Sequence, residues 1–298
     1  MSVAWQVQRE RGSRATIRIM AWVALSLGRS TARALLYPVC FYFLLGSGTA
    51  RRAIHRFRER ALGRPTTWRD LFRHYYSFAS TILDRVYFLR GRFDHFDIQV
   101  HGLDGLDRML TKGRGCLLLG SHLGSFEVVR ALGLARKDVE IRVLMDEQNA
   151  PLIRRLIQDL NPAVADTVIQ VRGVESMLYV KECLERGGVV GIMGDRMVHD
   201  NHAVACTFLG RKARFPAGFM RLAHVVRAPV VLFFGLYRGR NRYDVYLEPF
   251  SETVQLSQDQ RDADLSRWTQ EYASRLEFYC RQAPDNWFNF YEFWNDRH

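Results

Sequence analysis

Residues 115–127 read GCLLLGSHLGSFE. Cys116, Leu117, Leu118 and Leu119, closed by a glycine at each end, are too short a run for a helix. With no polar residue alternating among them, they read as a strand buried on both faces. Gly120 ends the strand, the chain turns through His122, and Gly124 with Ser125 opens a helical pattern that the Ser125 hydroxyl can cap. A strand running through a short turn into a helix is half of a βαβ unit. Open α/β sheets bind ligands at the carboxyl ends of their strands, and that is where His122 stands.

The same texture continues on both sides. Strand patterns at 97–101, 139–145, 167–171, 189–193, 229–236 and 243–247 alternate with helical spacing at 126–136, 151–160, 174–186 and 215–226. Pro151 and Pro216 fall where a first helical turn tolerates proline. A last helix at 262–282 leads into the aromatic stretch 286–294, NWFNFYEFW. The alternation predicts an α/β domain over 93–298, with a mainly parallel central sheet flanked by helices.

Residues 1–92 differ in kind: they hold 17 of the arginines, no lysine and four acids, so this third carries the whole positive excess of a chain whose net charge is +12. Between those arginines lie two apolar runs, 21–27 (AWVALSL) and 34–45 (ALLYPVCFYFLL). A bilayer span needs about 20 apolar residues, and the second run is shorter and contains Pro38. The first region therefore reads as a helical, membrane-associating segment that inserts at the interface, with a short tilted span or burial in the protein's own core as alternatives. A nucleic-acid arm has no use for such apolar inserts, and 93–298 is close to neutral, so no nucleic-acid partner is expected. No cleavable signal pattern is evident at the N-terminus. Five scattered cysteines (Cys40, Cys116, Cys183, Cys206, Cys280) with no C-x-x-C pair argue against a disulfide framework and a structural zinc site, and place the chain on the cytoplasmic side.

Chemistry concentrates around the turn at 120–127. Glu127 follows His122 by five residues, so its carboxylate can reach one imidazole nitrogen and leave the other facing a cleft, as a base held by an orienting acid. The same residues also fit a plain helix cap with a half-buried His. Asp195 and Arg196, after the apolar run 189–193, would reach the same sheet edge, where a guanidinium can hold a phosphate or a developing charge; a surface turn is the alternative. Arg211, Lys212 and Arg214 form a basic cluster that could meet a phosphate or simply face solvent. His199 and His202 have a metal-like spacing without an evident third ligand, and Cys116 reads as core packing.

GSHLGSFE resembles the H-x4-D/E block of the lysophospholipid acyltransferase superfamily, and in particular of the late acyltransferases of lipid A biosynthesis. The likeness extends through Trp5 with residues 10–13, Gly28-Arg29, Leu36-Tyr37-Pro38, Gly194-Asp195-Arg196, Phe208-Leu209-Gly210, residues 215–218 and the tail around Trp287. The resemblance implies an enzyme without a cofactor that moves a fatty acyl group from acyl carrier protein or coenzyme A to a hydroxyl of a lipid or glycolipid. It places that reaction on the cytoplasmic face of the bacterial inner membrane. In that reading His122 and Glu127 are catalytic, Glu127 fixing the tautomer, while Gly124 and Ser125 supply backbone N–H groups near the oxyanion. Asp195, Arg196, Arg211 and Arg214 bind substrate. Ser125-Phe126 stands where the lipid A enzymes usually carry Asn-Trp, and Asn289 and Glu292 where basic residues are common, which points to a branch with another lipid or glycolipid acceptor. A non-catalytic lipid-binding protein of the same fold is the competing expectation.

Overall fold

The computed structural model describes residues 14–110, 113–128, 139–145, 151–171, 174–197 and 203–294. In chain order its strands are β1 (Asp97–His101), β2 (Cys116–Gly120), β3 (Ile141–Met145), β4 (Val168–Gln170), β5 (Val189–Met193), β6 (Ala203–Phe208), β7 (Arg211–Pro216), β8 (Val230–Gly239) and β9 (Arg242–Ser251). Its helices are α1 (Arg14–Leu27), α2 (Arg29–Gly46), α3 (Gly48–Leu62), α4 (Trp68–Leu89), α5 (Leu103–Leu110), α6 (Pro151–Leu160), α7 (Pro162–Ala165), α8 (Val174–Glu185), α9 (Gly218–Val226) and α10 (Arg261–Gln282).

Seven strands form one sheet in the order β1-β9-β8-β2-β5-β3-β4. Every pairing in it is parallel except that of β8 with β9, which are joined by a tight hairpin at Arg240 and Asn241. The chain crosses from β2 through β3 and β4 and returns to lay β5 directly beside β2. β2, flanked by β5 and β8, has all five residues buried, which is why it reads as an unbroken apolar run. Register pairs Cys116 with Val189 and Gly120 with Met193, so both strands end at one level of the sheet edge.

One expected element is different. Residues 203–216 form the antiparallel hairpin β6–β7, with Cys206, Phe208, Ala213 and Phe215 buried and the intervening Thr207, Lys212 and Arg214 turned outward. Phe215 and Pro216 thus end a strand, and the helix starts at Gly218. Leu209 and Gly210 both have positive φ, the conformation a two-residue hairpin turn demands. Of the helix expected at 126–136, Phe126 and Glu127 lie in a turn, and the stretch beyond 128 falls outside the described residues.

The N-terminal helices pack on one another and on the sheet. α4 starts with a capping box: Thr67 Oγ1 accepts from the Asp70 N–H (3.3 Å) and Asp70 Oδ2 accepts from the Thr67 N–H (3.0 Å). Ala32, Leu36, Cys40 and Leu44 recur at every fourth position of α2 and close against Leu71, Tyr75, Leu83 and Tyr87 of α4. The opposite face of α2 leaves Leu35, Tyr37, Phe41, Tyr42 and Leu45 exposed, and α1 adds Trp22. The apolar runs therefore divide between core and surface, and no described helix is long and apolar enough to cross a membrane.

Several arginines of the basic third are structural. Arg29 makes a bidentate pair with the buried Asp84 (2.7 and 2.8 Å), whose Oδ2 also accepts from the Tyr243 hydroxyl (2.8 Å), and it donates to the Arg240 carbonyl. That fastens the start of α2 to the β8–β9 hairpin. Arg58 is 2% exposed and bridges Asp70 on α4 (3.1 Å) to Asp285 after α10. Removing one partner would strand a buried charge, so this bridge fixes where the C-terminal segment can lie.

Candidate active site

Because Gly120 and Met193 are register partners, the residues two beyond each strand end, His122 and Asp195, meet at the same edge. His122 Nδ1 lies 2.7 Å from Asp195 Oδ1, and the His122 backbone N–H donates to Oδ2 at 2.9 Å. A third donor, the indole Nε1–H of Trp287, reaches Oδ2 at 3.0 Å. The Asp195 side chain is 1% exposed and that of His122 29%, so a sealed carboxylate carries an imidazole that solutes can reach.

Charge follows from these contacts. Burial alone would push the Asp195 carboxyl up; His122, Arg196 and the backbone N–H outweigh it and bring it down to about 2. Burial and the Arg196 guanidinium lower the proton affinity of His122, against the opposing pull of Asp195. At neutral pH Asp195 is thus ionised and His122 neutral. An ionised carboxylate only accepts, so the imidazole proton sits on Nδ1 and the lone pair is left on Nε2.

The expected partner of His122 was Glu127, and the structure gives Nδ1 to Asp195 instead. Glu127 is buried, with Oε1 3.3 Å from Nε of Arg85 on α4. The reason is positional: the turn at 125–127 directs Glu127 toward α4, whereas β5 delivers Asp195 level with the imidazole. Arg85 is itself one of the charges that lower the His122 proton affinity.

A second expectation concerns the N–H groups of Gly124 and Ser125. Both are committed, Gly124 N–H to the Asn286 carbonyl (2.8 Å) and Ser125 N–H to the Gly235 carbonyl (2.7 Å), so they hold the loop rather than an oxyanion. Gly124 has φ +78°, and a Cβ there would stand 1.9 Å from the Gly235 oxygen, so only glycine allows this approach. The loop is also strapped from the C-terminal side. Phe288 N–H donates to the His122 carbonyl (2.8 Å), Leu123 and Trp287 form an antiparallel bridge, and the Asn286 amide bonds both N–H and carbonyl of Tyr237 (2.7 and 3.1 Å).

Arg196 follows Asp195 and donates from one terminal nitrogen to the Phe288 carbonyl (2.9 Å); among the described residues its buried Nε has no hydrogen-bond partner. Arg211 and Arg214 are both exposed on β7 in the separate hairpin, on opposite faces of the strand. His199, Asp200, Asn201 and His202 lie outside the described residues, as does the stretch 1–13. All five cysteines are buried and free, and burial raises the Cys116 thiol to about 12, so it stays a thiol. The tail is interior packing, with Trp287 and Trp294 both buried.

The same segment of chain carries a family signature. Residues 77–296 match the family model described as bacterial lipid A biosynthesis acyltransferase. The chain belongs to that family. The match spans the end of α4, the whole sheet, the His122–Asp195 site and the C-terminal strap. Membership makes this lipid A acyltransferase homologue an acyltransferase whose acceptor is of the lipid A type. Among curated proteins there is no significant match to the chain.

Sequence reading missed two participants, Trp287 and Arg85. Arg85 left no signal, being one arginine among many. For Trp287 there was a faint one: a tryptophan carries a ring N–H donor that phenylalanine lacks, and this one stands beside Asn286 in the aromatic stretch 286–294. The pairing of Asp195 with His122 also had a signal, since each stands just beyond an apolar run ending in glycine.

Proposed function

We propose that this acyltransferase moves a fatty acyl chain from a thioester, carried by acyl carrier protein or coenzyme A, to a hydroxyl of a lipid A-type or related glycolipid acceptor, with His122 as general base. The observation that carries the reading is the Nδ1–Asp195 contact, which leaves Nε2 as the acceptor for a proton. Nε2 takes the hydroxyl proton as the oxygen attacks the thioester carbonyl carbon. The tetrahedral intermediate collapses, the C–S bond breaks, and the imidazolium returns its proton to the departing thiolate. Asp195 holds the tautomer and balances the transient imidazolium.

Arg196 is the cation we assign to the developing oxyanion or to an acceptor phosphate, since it adjoins Asp195 and acts electrostatically on His122. Glu127 supports the base indirectly by pairing Arg85. The exposed apolar face of α2, set among arginines, supports a peripheral seat on an anionic leaflet at the cytoplasmic face, where the thioester donors are. Gly124 and Ser125 shape the turn, and the exposed Arg211 and Arg214 of β7 are the cations we assign to a phosphate of the donor or acceptor. The test is acyl transfer by purified His122→Ala. A loss of about 10²–10⁴ in kcat/KM with an unchanged unfolding curve is expected; full activity would sink the proposal.

A further inference from the structure

We infer that Trp287 is a positioning residue for the transfer reaction, tuning through its indole N–H the carboxylate that orients His122. The inference rests on the reading of His122 as the base. The Asp195 carboxylate is satisfied by three donors, two of them from His122 itself, and Trp287 is the only one contributed by another part of the fold among the described residues. It shares Oδ2 with the His122 backbone N–H, which leaves Oδ1 to the imidazole.

Its place is fixed from every side. Trp287 is 0% exposed, with Phe57 of α3, Phe208 of β6 and Phe293 of the tail packed on it at ring-centroid distances of 4.8, 5.3 and 4.9 Å. Its backbone belongs to the strap bonded to the His122 loop. A packing residue in that cage needs only an aromatic ring, whereas the indole N–H is aimed at the one carboxylate that touches the base.

The consequence is electrostatic. A hydrogen bond to Oδ2 draws negative charge away from Oδ1 and moderates the pull of Asp195 on the Nδ1 proton. Without it, Oδ1 holds the imidazolium more firmly, so the proton affinity of His122 rises. The carboxylate also loses a constraint on its rotation, and the imidazole loses alignment with it. Both effects act on the chemical step rather than on thioester binding.

The experiment compares kcat/KM against pH for wild type, Trp287→Phe, Phe293→Leu and His122→Ala. It uses a saturated acyl thioester of acyl carrier protein and a purified lipid A precursor, with thermal unfolding run in parallel. Trp287→Phe keeps the ring and removes the donor. It is expected to lower kcat about tenfold, leave KM for the thioester within about twofold, and raise the acid limb of the profile by roughly half a pH unit. Phe293→Leu loosens the same cage without touching Asp195, and is expected to lower the Tm while leaving the limb in place. A Trp287→Phe limb that coincides with wild type, or one that moves equally in Phe293→Leu, overturns the inference. If His122→Ala is inactive while Trp287→Phe behaves as wild type, the inference alone fails. If His122→Ala retains transfer, the base reading fails and this inference falls with it.

Discussion

Replacing Asp195 with asparagine is the most informative single perturbation, because shape is kept while every contact changes sign or strength. In the native site both carboxylate oxygens face donors: Oδ1 the Nδ1–H at 2.7 Å, Oδ2 the His122 N–H at 2.9 Å and the Trp287 indole at 3.0 Å. An amide has one accepting oxygen. If it stays on Nδ1, the NH2 group confronts two N–H donors; if it flips, NH2 meets Nδ1, and the imidazole must move its proton to Nε2, where a base is needed. Losing the charge-assisted bond costs about 1.5–3 kcal/mol. Adding the wrong tautomer and an uncompensated imidazolium, the barrier rises by about 4–6 kcal/mol, on the order of 10³–10⁴ in kcat/KM. The assay is acyl transfer by the purified variant, read beside thermal unfolding to establish that it is folded, since the contacts that hold the carboxylate ionised also stabilise the fold and their loss lowers the Tm. A folded Asp195→Asn enzyme within about tenfold of wild type would refute the role assigned to this carboxylate.

Three further outcomes are expected. Glu127→Gln leaves Arg85 beside the base without its counter-charge, so the His122 proton affinity falls further; kcat/KM should drop about 10–100-fold and the acid limb should move to lower pH, opposite in direction to Trp287→Phe. His74, buried on α4 among Phe57, Phe288 and Phe290, is pushed down to about 3 by burial and the Arg58 guanidinium, from an ordinary 6.5. The unfolded chain therefore takes up a proton there that the folded chain refuses, and stability is lost as pH falls below about 6.5, by about 1.4 kcal/mol per unit down to about 3. Urea unfolding of His74→Phe should show a pH slope between pH 4 and 6 that is shallower by roughly one proton, and an unchanged slope would remove His74 from the account. Sedimentation with anionic phosphatidylglycerol vesicles should show Tyr42→Ser/Leu45→Ser binding at least about tenfold more weakly, from the lost apolar area alone; equal partitioning would rule out α2 as the seat.

The sequence carried what is local. The apolar run 116–119, the glycine after it and the strand and helix spacings around it suffice for an α/β domain, because burial on both faces and period are written residue by residue. The same holds for His122 at a strand's carboxyl end and for the division between a basic, apolar first third and a neutral remainder. The hairpin β6–β7 escaped because Arg211, Lys212 and Arg214 read as a charge cluster, although the inward Ala213 and Phe215 already give the alternation of an edge strand.

Which acid serves the base was not local at all. Spacing along the chain favours Glu127, five residues away, whereas Asp195, 73 residues away, takes Nδ1, because the crossover through β3 and β4 returns β5 beside β2 in register. Likewise Trp287 reaches the site because distant parts of the fold pin the C-terminal segment across the loop: Arg58 holds Asp285, Tyr237 holds Asn286 and the His122 carbonyl holds Phe288. Sequence patterning determined that a histidine would stand at the sheet edge; strand order, which no linear pattern encodes, decided what holds it.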